Sequence, residues 1–204
     1  DKPVTLFVDW ADGGGVQAVP LPAGGGTFAG VTHAYAAAGR YAVRVWAGDG
    51  DATPAGLRGT YYGATTPNDR YEPDLDFQSP RAQADVPEVD FDYGAGGPGF
   101  GIGADRFAVR WRGEVLAPAT GTFTFRPTTD DGVRLWVDGR LLVGRWDDHP
   151  PTEFAGEIAL VAGQRYAVVM EYYENVLGAV AALRWSGPGV AGTAVVPRAA
   201  LTQG

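Results

Sequence analysis

The sequence predicts an all-β protein built as an antiparallel β-sandwich or barrel. Glycine (31 residues) and proline (15 residues) are frequent in the 204-residue chain, and aromatic residues make up 12% of it. Many short segments alternate apolar and polar residues with a period of two, and turn residues separate them. Short strands at such close spacing are typical of sandwiches and barrels.

The predicted elements divide into two groups along the chain. Before residue 50, strands are predicted over 4–10 and 41–46, and the one helix candidate, over 35–38, ends at Gly39. Small and acidic residues at 48–56 predict a linker and a boundary near 50–56. The later strands are predicted over 57–62, 107–111, 113–116, 121–125, 133–137, 141–144, 153–160, 166–173 and 180–185. Residues 65–103 are predicted to be rich in turns, and Asp138-Gly139 predicts a type I′ hairpin turn.

Charge and composition exclude several classes of protein. The formal net charge of −8 argues against nucleic-acid binding and against an anionic membrane surface, and it favours metal cations as partners. Because the chain has no cysteine, thiolate zinc sites, disulfides and thiol catalysis are excluded. No apolar run is long enough to span a bilayer, so no membrane insertion is expected. The chain begins at Asp1 without a methionine, and we expect it to be part of a longer polypeptide.

The most informative segment is TTDDGVRLWVDG at residues 128–139. Asp130 and Asp131 precede a strand that alternates apolar and polar residues. Successive side chains of a strand point to opposite faces, so the two acids can share a target only if the backbone between them is unusual. Two converging carboxylates at a loop tip indicate a hard cation such as calcium. The alternative is a pair of solvated turn acids, and the pattern alone leaves both open.

Six segments together resemble one known family. They are GLRGTYY (56–62), FAVRWRG (107–113), GTFTF (121–125), DDGVRLWVDG (130–139), EYYEN (171–175) and LRW (183–185). In this order they resemble the protective-antigen ("PA-fourteen") lectin-like domain family. The resemblance implies that residues 57–204 form an antiparallel, lectin-like β-sandwich.

Two further segments resemble a different family. VDWADG (8–13) and THAYAAAGRYAV (32–43) are similar to the C-terminal half of a polycystic-kidney-disease-type immunoglobulin-like repeat. The resemblance implies that residues 1–50 form a small, incomplete immunoglobulin-like β domain, joined by a linker at 51–56. Either the repeat is cut inside this chain or another segment completes its sheet. His33 matches a structural position of the repeat, so we expect it to pack.

The lectin-like resemblance implies a calcium site. In the calcium-dependent members a cis peptide joins the two aspartates, and both bind one calcium ion. Calcium takes about 6–8 oxygen ligands, so two aspartates cannot complete its shell. By resemblance, the remaining protein ligands are the side-chain oxygen of Asn175 and the backbone carbonyls of Leu177 and Ala179. The alternative is that this loop is a simple hairpin turn formed by Asn175 and Gly178.

The resemblance also implies that vicinal hydroxyls of a sugar complete the calcium shell. The residues expected to bind the sugar are Asp130, Asp131, Asn175, Val176, Gly178 and Trp146. For Trp146 the alternative is packing, which is usual for a large aromatic residue after a strand. Asp147, Asp148 and His149 form a second polar cluster, interpreted as a solvated turn or a second metal site. Asp49-Gly50-Asp51 is interpreted as a solvated linker or a rigidifying calcium site.

The predicted function is a calcium-dependent carbohydrate-binding module, a lectin or adhesin domain of an extracellular or cell-surface protein. Its partner is a glycan, its cofactor is calcium, and it is expected to be a monomer as a fragment of a larger multidomain protein. We expect no enzyme activity, because the sequence has no Gly-x-Ser-x-Gly elbow, phosphate loop or His-Glu-x-x-His helix. The alternative is a non-catalytic spacer or accessory domain of a larger extracellular glycoside hydrolase or adhesin.

Overall fold

The computed structural model describes residues 5–9, 16–20, 32–35, 43–48, 55–63 and 77–203. The chain divides into two compact units, Asp1–Ala52 and Thr53–Gly204.

The described part of the first unit is a small antiparallel sheet. Its strands are β1 (Thr5–Asp9), β2 (Val16–Pro20) and β3 (Arg44–Gly48), in the order β2-β1-β3. The His33 and Tyr35 rings meet edge to face, 4.7 Å apart. Residues 36–38 of the helix candidate and the acids at 12, 49 and 51 lie outside the described residues. The resemblance to an immunoglobulin-like repeat stays a prediction.

The second unit is built from short strands and one 3₁₀ turn. The strands are β4 (Leu57–Gly63), β5 (Ala82–Val86), β6 (Asp90–Gly94), β7 (Phe107–Leu116), β8 (Gly121–Asp130), β9 (Val133–Val137), β10 (Arg140–Arg145), β11 (Thr152–Glu153), β12 (Gly156–Leu160), β13 (Arg165–Glu174), β14 (Ala179–Ser186), β15 (Ala194–Val195) and β16 (Leu201–Thr202), and the 3₁₀ turn is Arg198–Ala200.

These strands form two antiparallel sheets. Over the described residues, the first sheet has seven strands in the order β10-β9-β13-β7-β4-β5, and β16 also pairs with β7. The second has six strands in the order β11-β8-β14-β15, with β12 also on β8 and β6 also on β14. The sheets face each other as a sandwich, so the predicted all-β, lectin-like sandwich is confirmed. Within the described ranges, no helix has the length and hydropathy that crossing a bilayer requires.

The core lies between the two sheets, and the period-two pattern of the strands places it there. In β9, Val133, Leu135 and Val137 are fully buried, whereas the alternate residues Arg134 and Trp136 are partly exposed. The same alternation supplies the largest core side chains from the neighbouring strands: Leu57, Phe107, Trp111, Phe123, Phe125, Leu160, Met170, Tyr172 and Leu183.

A second, smaller cluster covers the opposite face of the seven-stranded sheet. Tyr62, Ala108 and Tyr173 are buried there, and Phe77 and Trp146 pack against them. These five residues are called the outer aromatic cluster below. Beside it, Glu171 on β13 binds two arginines directly across the neighbouring strands, Arg110 on β7 and Arg134 on β9. The Glu171 Oε2 to Arg134 Nη2 distance is 2.8 Å.

Several predicted boundaries differ from the structure. The segments 107–111 and 113–116 form one continuous strand, β7, because β4 and β13 pair with it across the predicted break. The predicted strand 153–160 is divided into β11 and β12, which pair with different parts of β8. The stretch predicted to be rich in turns contains β5 and β6. The hairpin prediction at Asp138-Gly139 agrees with the structure, since both residues have positive φ, 52° and 72°.

Candidate cation site

Three connections between the two sheets meet at one end of the sandwich. Residues 131–132 lead from β8 to β9, residues 146–151 lead from β10 to β11, and residues 175–178 lead from β13 to β14. The Asp131 carboxylate joins them, because its Oδ2 accepts the Asn175 backbone N–H at 2.9 Å and its Oδ1 accepts the His149 backbone N–H at 3.0 Å. These two bonds hold Asp131 in a fixed orientation.

Three carboxylates converge where these connections meet. The peptide bond between Asp130 and Asp131 is cis. One oxygen each from Asp130, Asp131 and Glu174 lies within 4.8 Å of the others. Asp131 is only 6% exposed and Glu174 is fully buried. The carboxylate oxygens of the two aspartates therefore converge, and a shared ligand of both stays a prediction.

The glycine that follows the pair is required by close packing. A Cβ at Gly132 would overlap the aromatic ring of Tyr173 on β13, whose backbone N–H donates to the Gly132 carbonyl at 3.0 Å. The Tyr172 hydroxyl donates to the Asp130 carbonyl at 2.6 Å. Strand β13 thus contacts the Asp-Asp-Gly segment through side chains on both faces of the strand, Tyr172 on one face and Tyr173 on the other.

The electrostatics of the site favour a cation. Burial raises the pKa of Asp130, and the nearby Asp131 carboxylate raises it further. Burial also raises the pKa of Asp131, although the backbone N–H groups of Asn175 and His149 oppose this effect. Burial, followed by repulsion from Asp131, Asp130 and Asp105, raises the pKa of Glu174 to about 8. Among the described residues, His149 partly offsets the raised pKa of the two aspartates, and a bound cation would supply further positive charge to all three groups.

Glu174 is the site residue that sequence reasoning missed. Its Oε1 is buried and has no hydrogen-bond partner. The alternation of β13 would have pointed to it, because Glu174 continues the inward series Met170 and Tyr172 at the end of the strand. Charged residues are almost never fully buried unless paired, so the sequence alone favoured an exposed position for it.

The side chain of Asn175 is oriented by a neighbouring acid. Its Nδ2 donates to Asp148 Oδ2 at 2.8 Å, and the Tyr173 hydroxyl donates to Asp148 Oδ1 at 2.7 Å. These two bonds, from Tyr173 first and Asn175 second, lower the pKa of Asp148. Two members of the polar cluster at 147–149 therefore contribute to the same site: Asp148 orients Asn175, and His149 binds Asp131 through its backbone.

The remaining loop residues line the same end. Val176 and Leu177 are exposed, Leu177 by 81% and with a φ of 87°. The Leu177 N–H donates to Asp105 Oδ1 at 3.2 Å. Gly178 lies beside Asp130, since a Cβ built there would be 3.6 Å from Asp130 Oδ2. Ala179 is buried at the start of β14.

Trp146 lies in the outer aromatic cluster. Its ring meets Tyr173 edge to face at 4.7 Å, and the Arg134 guanidinium lies 3.9 Å from its centroid. These contacts are those of a packed side chain, and they place Trp146 behind Tyr173. Stacking of Trp146 on a sugar stays a prediction.

The donor set fits a hard divalent cation. Every donor in the converging group is a carboxylate oxygen, and carboxylates suit calcium, magnesium and manganese. The unpartnered oxygen of Glu174 is a further observation in favour, since buried polar atoms without a partner are rare. The described residues therefore fit the calcium ion that the resemblance implies.

A two-sheet antiparallel sandwich with an oxygen-donor site at its connections defines a lectin-like β-sandwich module. The chain belongs to the PA14 domain family, whose profile matches residues 55–198. This confirms the resemblance to the protective-antigen family.

Three similar proteins illustrate the range of the family. Anti-sigma-I factor RsgI3 of Acetivibrio thermocellus is 43% identical over 134 residues, and the match covers 66% of this chain but 19% of that protein. A solved anti-sigma factor domain-containing protein is 39% identical with a TM-score of 0.66, covering 74% of this chain and 48% of that one. The PA14 sugar-binding domain of an RTX adhesin is 18% identical with a TM-score of 0.60, covering 74% and 99%, and this likeness shows the fold alone.

This chain thus spans less than half of either anti-sigma relative. The names of these two relatives describe longer proteins, of which this chain matches one part.

Proposed function

We propose that the chain is a calcium-dependent carbohydrate-binding module. The observation that carries this proposal is the convergence of the Asp130 and Asp131 carboxylates, with the 175–178 loop held against them by the Asn175 N–H bond to Asp131. The ligands would be these two carboxylates, the Asn175 side-chain oxygen and the carbonyls of Leu177 and Ala179. A bound calcium would offer its unfilled coordination positions to vicinal hydroxyls of a sugar.

The surroundings of the site support recognition of a small polar ligand. The 175–178 loop exposes Val176 and Leu177, which would provide apolar contacts to one face of a sugar ring. The sugar-binding domain of the RTX adhesin has the same fold. Such a module would act at the cell surface or outside the cell, where glycans are accessible.

A second candidate is the ligand-binding part of a signalling protein. The two relatives of 39% and 43% identity are both anti-sigma factors by name. In that case the module would bind its ligand and another part of a longer protein would act on the sigma factor. The two candidates are compatible, because the second gives the first a regulatory setting.

The experiment that tests the proposal is a glycan array probed in calcium and again in a chelator. The wild-type chain is compared with Asp131→Ala, which removes a proposed ligand, and with Asp147→Ala as a matched control. Asp147 is an exposed acid at the same end, and its Oδ1 lies 3.7 Å from Arg145 Nε. We expect glycan binding in calcium for the wild type and the control, and loss of both calcium and glycan binding for Asp131→Ala.

Two outcomes would count against the proposal. Glycan binding that survives the chelator or the Asp131→Ala substitution would separate sugar recognition from this site. Absence of glycan binding in both conditions would favour the spacer or accessory alternative.

The second candidate function has a separate test, binding of a sigma factor. Direct binding of a sigma factor by this chain would assign it the regulatory contact itself, instead of ligand sensing.

A further inference from the structure

We propose that Glu174 is a third carboxylate ligand of the cation, so that the site carries three negative charges. This inference rests on the proposed calcium function and adds a residue to it. The resemblance assigns two aspartates, one amide and two carbonyls, and Glu174 is none of these. Its position in the structure is what identifies it.

The first observation is the state of the Glu174 side chain. It is fully buried, and within the part of the chain that the structure describes its Oε1 has no hydrogen-bond partner. Its Oε2 has only a long contact, 3.5 Å, from the Tyr172 hydroxyl. That hydroxyl is already engaged with the Asp130 carbonyl at 2.6 Å. A buried carboxylate in this condition is costly unless a cation or a proton satisfies it.

The second observation is where the side chain points. A carboxylate oxygen of Glu174 lies within 4.8 Å of one oxygen from each aspartate, which is the spacing of ligands around a shared ion. Asp130, Asp131 and Glu174 offer only hydrogen-bond acceptors to one another when all three carboxylates are ionised. Repulsion between them would be relieved by an ion at their centre.

A glutamate on the same strand shows the contrast. Glu171 is also buried, at 6% exposure, but it faces the other side of the sheet and binds Arg110 and Arg134. Among the described residues, the strand therefore pairs Glu171 with two protein cations, whereas no ion pair joins Glu174 to one. Glu171 is fully compensated by the protein, and Glu174 is positioned for compensation by a metal ion.

The number of charges has a consequence for the choice of ion. Asp130, Asp131 and Glu174 would leave a net charge of −1 around a divalent ion, and they would neutralise a trivalent one. Ligand charge count is one of the properties that tune calcium affinity in proteins. We therefore expect strong binding of a lanthanide such as Tb³⁺ and a large dependence of that binding on Glu174.

The test uses calcium titration calorimetry and Tb³⁺ luminescence on the full chain. The variants are Glu174→Gln, which keeps the shape and removes the charge, and Glu174→Asp, which keeps the charge and shortens the side chain. Glu171→Gln is the matched control. We expect Glu174→Gln to weaken calcium binding by about tenfold or more, Glu174→Asp to lose less, and Glu171→Gln to retain affinity wherever it is folded.

The luminescence lifetimes in H₂O and D₂O give a second readout, the number of water molecules on bound Tb³⁺. If Glu174 is a direct ligand, the Gln variant should gain about one water, because waters fill positions that protein ligands leave. An unchanged affinity and water count in Glu174→Gln would overturn this inference alone. No calcium binding by the wild type would overturn the proposed function together with it.

Discussion

Replacing Glu174 with glutamine should stabilise the protein when no metal is present. Burial and the neighbouring aspartates raise the pKa of Glu174 from 4.5 to about 8 in the folded chain. At about pH 7 this carboxylate is ionised in the unfolded chain but must be protonated, or buried with its charge, in the folded chain. At about 1.4 kcal/mol per pKa unit, this lowers the free energy of unfolding by roughly 3 kcal/mol. Glutamine carries no charge and removes this cost. Its amide N–H groups would face the carboxylates of Asp130 and Asp131, which are hydrogen-bond acceptors.

The same substitution at Glu171 should have the opposite sign. Glu171→Gln would leave Arg110 and Arg134 without their shared counter-ion, and these arginines are only 18% and 34% exposed. We expect a loss of about 2 kcal/mol, discounted from the roughly 3–5 kcal/mol of a fully buried pair because Arg134 is partly solvated. The two variants change the same residue type on the same strand, three positions apart.

The assay is urea-induced unfolding in a chelator, followed by circular dichroism. We expect a gain of about 2–3 kcal/mol for Glu174→Gln and a loss for Glu171→Gln at about pH 7. In excess calcium the advantage of Glu174→Gln should shrink or reverse, because the ion binds the folded wild type more tightly than the folded variant and so stabilises it more. A Glu174→Gln variant that is less stable than the wild type in the chelator would refute the reasoning, since it would show that the buried carboxylate is already satisfied.

Two further predictions concern pH and packing. Because the pKa of Glu174 is raised to about 8, its contribution to stability in a chelator is fully present below pH 4.5 and is lost as the pH rises through about 8. The stability difference between the wild type and Glu174→Gln should therefore widen between about pH 5 and pH 8. Calcium affinity of the wild type should rise over the same window, because the Glu174 carboxyl must lose its proton to bind the ion. A stability difference that does not change with pH would contradict this prediction. Gly132→Ala should cost about 1–3 kcal/mol and weaken calcium binding, because its Cβ would overlap the Tyr173 ring. Gly178→Ala is the control, since its Cβ would meet Asp130 Oδ2 at an ordinary 3.6 Å, and equal unfolding midpoints for the two variants would be evidence against the packing argument.

The parts of the fold that the sequence predicts well are those with strong alternation. The strand predicted over 133–137 is the observed β9, because three β-branched or leucine residues alternate with polar or amphipathic ones. Strands β5 and β6 were missed, since their sequences AQADV and DFDYG are rich in alanine, aspartate and glycine, which disfavour strands. Pairing with β4 and β14 forms these strands in spite of their composition.

The candidate site was predictable only in part. A pattern of adjacent acids could not show that Asp130 and Asp131 converge, and that expectation came from the family resemblance. Glu174 was missed because charged residues are almost never fully buried unless paired, and this expectation outweighed the inward alternation of β13. Its role depends on β13 continuing to Glu174 and on two connections from other parts of the chain meeting there. Contacts between residues so far apart in sequence are set by the tertiary fold.

Strand ends supply the buried carboxylates of the candidate site and a connection supplies its exposed residues. This difference affects how such modules diversify. The carboxylates of Asp131 and Glu174 are buried at or next to strand ends, where packing constrains them. Val176 and Leu177 are exposed on the connection and have no part in the core. Substitutions at these two positions would change the surface offered to a ligand while leaving strand register and the charged base of the site intact. Under the proposed function, ligand preference would therefore change through substitutions on this connection at little cost in stability.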